Sequence, residues 1–308
     1  MKKKLFATIA VLCIFTCIAL GSGSSSDSSK KDIVSSDASA VTDSGANEGQ
    51  LTSSSSNESS AAVTIEEAVV YDANGIKITA KEYSTDSFWG DGIKFLIEND
   101  SSKNITVSTN ATIVNNYMIA DLFVESVAAG KKSNETLSLS TTALNAAGIT
   151  NIGQIEVYFH IYDSDSYDAI ADTDCILIKT NLYDSMDQTV DDSGVTLYDT
   201  NGIKIVGKYV NESSFWGKAV MLYCENNTDK NVTISADDLS VNGFMVTSLF
   251  SKTIYAGKKA YADITLLSTD LEENGITSVD DIALKFRIYN PDTYDTIAET
   301  DEIKFSTK

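Results

Sequence analysis

At 308 residues, with 44 acidic side chains against 23 basic ones and a net charge of −21, the chain is long enough for roughly two domains once its non-globular parts are set aside. A single Arg, Arg287, leaves no basic stripe to neutralise phosphates, which argues against nucleic-acid binding. One His, His160, and four Cys rule out multi-His metal centres and a disulfide framework within each unit.

The first element is a secretory signal over residues 1–21. Lys2, Lys3 and Lys4 precede an apolar run from Leu5 to Leu20, which is shorter than the ~20 residues a membrane-spanning helix needs. Ala19-Leu20-Gly21 suits cleavage before Ser22. Lipidation at Cys17, which follows Thr16, and retention as an uncleaved anchor are the alternatives. Residues 22–64 are dominated by Ser, Asp, Asn, Ala and Gly. Such a stretch buries too little apolar surface to offset its ordering entropy, so a disordered spacer is expected.

An internal repeat dominates the rest. Tyr71-Asp72-Ala73-Asn74-Gly75-Ile76-Lys77-Ile78 returns 127 residues later as Tyr198-Asp199-Thr200-Asn201-Gly202-Ile203-Lys204-Ile205, and residues 71–180 match 198–307 without a gap. The period is too long for a solenoid, so it predicts two whole domains, 65–180 and 195–308, joined by a polar link over 181–194. Few contacts are expected across that link, leaving the domains free to move.

Within each copy the elements are short. Asn74-Gly75 marks a hairpin turn, because both residues tolerate φ > 0. A strand follows over Ile76–Lys81, another over Gly92–Glu98, and β pattern resumes over Ile105–Ser108. Asn115-Asn116 and Asn242-Gly243 mark a further tight turn. Gly130-Lys131-Lys132 and Gly257-Lys258-Lys259 read as turns with solvated lysines, ahead of a strand over Thr136–Ser140 in the first copy. Thr269-Asp270-Leu271-Glu272 reads as a capping box with Gly275 as the stop, and Thr142 to Gly148 as its weaker counterpart. In the clearest strand Ile155, Val157, Phe159 and Ile161 face inward. Glu156, Tyr158, His160 and Tyr162 face outward. The last strands are placed over Cys175–Lys179 and Glu302–Ser306. The fold class predicted is all-β: two tandem immunoglobulin-like antiparallel β-sandwich domains, each with one short helix.

The repeated Asn-Gly-Ile-Lys-Ile, Ser-Phe-Trp-Gly, Ala-Gly-Lys-Lys and Gly-Ile-Thr patterns resemble uncharacterised immunoglobulin-like domains of exported proteins and lipoproteins from Gram-positive bacteria. The resemblance covers both copies and implies no assigned chemistry. Relatives sometimes carry the label telomeric repeat-binding factor, which an acidic, exported chain without a basic recognition helix does not support.

Four residues are candidate binding positions: Phe88, Trp89, Phe215 and Trp216, the repeated Phe-Trp pairs of a loop. Exposed, they would anchor a protein or glycan; turned inward, they would close one end of the core. Asp163, Asp165, Asp168, Asp172 and Asp174 offer oxygen ligands suited to Ca2+, but the twelve-residue calcium loop is missing and Asp equally favours turns. No metal, cofactor or catalytic residue is assigned. The expectation is a non-enzymatic, secreted or cell-surface binding protein whose partner is a protein or envelope component, touching a membrane only through an N-terminal anchor. The second reading is a small-ligand or Ca2+-responsive sensor built on the acidic loops.

Overall fold

The computed structural model describes residues 30–35, 62–85, 90–121, 123–186, 190–214 and 217–307. The expected signal segment, most of the Ser-rich stretch and the four Phe-Trp candidates lie outside the described residues. The chain is mostly β-strand, with two short α-helices among the described residues.

A strand from the Ser-rich stretch comes first, β1 (Lys30–Ser35). The first repeat then runs β2 (Ala68–Ala73), β3 (Ile76–Ser84), β4 (Gly92–Asn99), β5 (Ile105–Val114), β6 (Tyr117–Ile119), β7 (Val124–Val127), β8 (Lys131–Ser138), α1 (Thr141–Ala146), β9 (Gln154–Asp163), β10 (Ala169–Asp172) and β11 (Ile176–Lys179). The second runs β12 (Val195–Thr200), β13 (Ile203–Ser214), β14 (Gly217–Asn226), β15 (Val232–Val241), β16 (Phe244–Met245), β17 (Ser251–Ile254), β18 (Lys258–Leu267), α2 (Ser268–Glu273), β19 (Asp281–Tyr289), β20 (Thr296–Glu299) and β21 (Ile303–Thr307).

In the first repeat β2-β3-β4-β8 form one antiparallel sheet. The other is built on β5 and β9, with β6 and β7 along the free edge of β5 and β10 and β11 along that of β9. The second repeat pairs in the same way at the same spacing: Ile76 opposes Asn99 as Ile203 opposes Asn226. Asn74 and Gly75 take φ of 55° and 73°, and Asn201 and Gly202 take 55° and 77°, as a two-residue hairpin turn requires.

The core lies between the two sheets of each repeat. Ile155, Val157, Phe159 and Ile161 are fully buried, and Phe159 meets Phe95 from the opposite sheet edge-to-face with ring centroids 5.3 Å apart. Each interior also holds one fully buried asparagine. The Asn99 amide donates to the carbonyls of Lys103 and Val127 at 2.8 and 2.9 Å while its oxygen accepts from the Ser101 backbone N–H and hydroxyl. Asn226 repeats this with Lys230, Ile254 and Thr228.

Several expectations are corrected. Lys30–Ser35 is not spacer. It pairs antiparallel with β13 through Lys30–Asp32 and with β21 through Ile33–Ser35, because Ile33 finds a core to enter, where it is buried with the second repeat's interior. Lys131, Lys132, Lys258 and Lys259 are strand residues rather than turn residues. The capping box at Thr269 does not form. α2 begins after Leu267, and Asp270 instead accepts the Thr247 backbone N–H at 2.7 Å. In the first repeat Ser140 does cap α1, accepting the Ala143 N–H.

The expectation of loosely connected domains is also overturned. β6 pairs in parallel with β18, placing Tyr117 opposite Lys259 and Met118 opposite Ala260. Tyr117 stacks on Tyr261, which meets Tyr223 edge-to-face and donates its hydroxyl to the Asp191 carbonyl of the link at 2.8 Å. Lys258, expected in solvent, reaches the buried Glu156 carboxylate at 2.6 Å and the Asn116 amide oxygen at 3.2 Å. Glu156 therefore faces outward from its own sheet but into the second repeat.

Candidate functional site

The hairpin between β9 and β10, and its counterpart between β19 and β20, carries the exposed side chains whose backbone is most demanding. After Asp163 the chain turns sharply. The Asp163 carboxylate accepts the backbone N–H groups of Asp165 and Ser166 at 2.9 and 3.3 Å, and Ser166 donates its hydroxyl to Asp168 at 2.9 Å. The Tyr167 N–H closes the turn on the Asp163 carbonyl at 2.8 Å. Asn290 does the same for Asp292 and Thr293, Thr293 donates to Asp295, and Tyr294 closes on the Asn290 carbonyl at 2.9 Å.

This turn forces one residue into the left-handed region, and in both copies that residue is tyrosine. Tyr167 has φ of 63° and Tyr294 has 61°. For a bulky L-residue this conformation costs on the order of 1–2 kcal/mol, which Gly would avoid and Asn would reduce. What tyrosine provides instead is a ring on the surface, 78% exposed at Tyr167 and 69% at Tyr294.

Each exposed ring lies on a second tyrosine. Tyr167 stacks with Tyr162 at 6.2 Å and 21°, and Tyr294 with Tyr289 at 6.1 Å and 20°. A cationic or titratable group continues each row: His160 lies 5.2 Å from the Tyr162 ring, and the Arg287 guanidinium lies 5.1 Å from the Tyr289 ring. His160 is held by Asp172 at 2.7 Å, and this contact pulls the Asp172 carboxyl below the usual carboxylate range. Each repeat thus presents a strip of stacked rings, its outermost tyrosine exposed, that ends in a nitrogen-bearing side chain. Such a strip can stack on a sugar ring or an aromatic side chain and offer one hydrogen bond at its end.

The acidic residues around the first hairpin are turned to other work. Asp163 binds turn amides and pairs with Lys103 at 3.0 Å, and the Lys103 ammonium is the main reason its pKa is lowered. Asp172 also accepts from the Asn110 amide at 2.8 Å. Among the described residues no group of three or more His, Cys, Asp or Glu side chains converges as a metal site. Cys175 is exposed and Cys224 buried, both as free thiols.

Phe88, Trp89, Phe215 and Trp216 lie outside the described residues. The loop's exit is described: a Cβ on Gly90 would come within 2.7 Å of the Thr141 hydroxyl, so the backbone there runs against the start of α1. Tyr167 and Tyr294 were missed as candidates, although the repeat register carried a usable signal: Ser166-Tyr167-Asp168 returns as Thr293-Tyr294-Asp295, a large aromatic kept inside a polar turn.

No helix among the described residues is long and apolar enough to cross a membrane. Comparison with protein-family models and with curated proteins gave no match to this chain.

Proposed function

We propose that the chain is a non-enzymatic extracellular or cell-surface binding protein, made of two immunoglobulin-like sandwiches that hold a cell-envelope component through their tyrosine strips. The single observation that carries this reading is the pair of exposed, stacked tyrosines at φ near +60° in both repeats. A strained surface aromatic with no core to fill points to a contact made outside the chain. Duplication supports it, because two weak sites on one chain gain avidity.

Strand order supports the immunoglobulin-like assignment. β3-β4-β8 on one side, β5-β9-β11 on the other, β6 and β7 along β5, and a helix between β8 and β9 make two facing antiparallel sheets between which the chain crosses after β4, after β7 and after β8. β2 extends the first sheet by one strand. The N-terminal basic and apolar run supports export, with the envelope as the place of action. No observation favours the sensor reading: Asp163 is committed to turn amides and Lys103, Asp165 to the Asn104 side chain, Asp168 to the Ser166 hydroxyl and Asp172 to His160.

The test is co-sedimentation with purified cell-wall material, comparing the native chain with Y167G, Y294G and the double variant. Glycine fits φ near +60°, so relief of strain offsets the lost stacking and melting should move little. Each single change should weaken binding about tenfold, and the double change should weaken it by more than either alone. Native chain that stays in the supernatant, or a double variant that sediments like the native chain, would refute the proposal.

A further inference from the structure

We propose that the channel between β13 and β21 is an acceptor site for an extended peptide, with Lys30–Ser35 as its resident ligand. The site is separate from the tyrosine strips and does not depend on their role. β1 joins the free edge of β13 where β12 stops, Asp32 opposite Tyr209, then crosses to β21 with Ile33 opposite Thr307. It therefore closes a gap between the two sheets of the second repeat.

The first repeat fills the matching gap from its own sequence. There Ile65 bridges to Thr180, the counterpart of Thr307. At the position equivalent to Ile65 the second repeat has Asp192, which turns outward to Lys204 at 2.6 Å and supplies no apolar side chain. The wall beneath has changed to match. Ala80 of the first repeat is replaced by Gly207, and a Cβ there would stand 3.2 Å from Ile33 Cδ1 and 3.4 Å from its Cγ2. Gly207 makes a notch, and Ile33, 5% exposed, fills it.

Charge sets the second half of the specificity. Lys31 lies between Glu212 at 3.7 Å and Asp280 at 3.5 Å, and the Lys30 ammonium stands 4.8 Å above the Tyr209 ring. The site thus recognises a strand with lysines two and three positions before a β-branched apolar residue, through backbone pairing, one notch and an acidic flank. One buried side chain in a six-residue strand with exposed ends is a small anchor. The ligand is exchangeable, and its covalent attachment keeps the site filled in the native chain.

The experiment uses the full chain and a fluorescent peptide of residues 28–37. The I33D chain, its own strand expelled, should bind the peptide, while the native chain should bind about tenfold more weakly or less because the site is occupied. The I33D/G207V chain and an Ile33→Asp peptide should both fail to bind. The milder Ile33→Ala chain serves the same measurement if I33D does not fold. Absence of peptide binding by both vacated chains, or binding unaffected by G207V and by the altered peptide, would overturn the assignment.

Discussion

The two repeats hold one interior and differ where each meets something outside it. Asn99 and Asn226 make matching buried networks, and Asn115 and Asn242 both clamp the loop ahead of the following long strand. At the margins the copies part. Tyr117 is buried against Tyr261 of the second repeat, whereas its counterpart Phe244 is 49% exposed. Glu156 meets Lys258 across the junction, whereas its counterpart is Ala283. A duplicated sandwich therefore keeps what closes its own core and changes the residues that join it to a neighbour.

The largest test of that contrast is on the shared part. Asn99→Ala and Asn226→Ala should each cost about 3 kcal/mol in urea unfolding, because each leaves buried carbonyls and an N–H without partners. A difference above about 1 kcal/mol between them would break the claim of one common interior.

The junction comes next. Glu156→Ala strands the Lys258 ammonium in a largely buried position and should cost up to about 3 kcal/mol. Adding Lys258→Met should recover much of the loss, because it removes the stranded ammonium. Failure of the second change to rescue the first would show that the pair does not couple the repeats.

Tyr117→Phe is a smaller probe. The Tyr117 hydroxyl is buried without a hydrogen-bond partner, and burial pushes its pKa up to about 12. Replacing it with the residue the second repeat already has should be neutral or stabilising by up to about 1 kcal/mol. A clear loss in thermal unfolding would mean the hydroxyl has a partner.

The smallest effect is in acid. Asp191 is held at about 2, from an ordinary 3.8, first by the Ser193 hydroxyl and then by Lys208. A carboxyl with a lowered native pKa contributes stability above its unfolded pKa, and that contribution is lost as pH falls from about 4 to about 2. Its counterpart in the first repeat, Thr64, has no carboxylate to titrate. Asp191→Asn should flatten the acid limb of melting temperature against pH; an unchanged limb would contradict the assignment.

The sequence by itself determined what depends on neighbours along the chain. Period-two alternation placed Ile155 to Ile161 in the core, Asn-Gly pairs placed the hairpins, and the repeat register supplied a second reading of each. Local pattern was weaker at the helix starts, where Thr269 matched a capping box that α2 does not use. Tertiary structure alone decided the roles of Ile33, Lys258 and Tyr167. Ile33 and Val34 are an isolated apolar pair in a polar stretch, and the partners of Ile33, Thr307 and Gly207, lie far along the sequence. Lys258 reads as a solvated lysine until the first repeat brings Glu156 to it. Tyr167 becomes an exposed, stacked ring only when the turn sets its φ positive and lays its ring on Tyr162. Periodicity reports which face of a strand is buried, but pairing across a long loop is chosen by shape and charge that meet only in the folded chain.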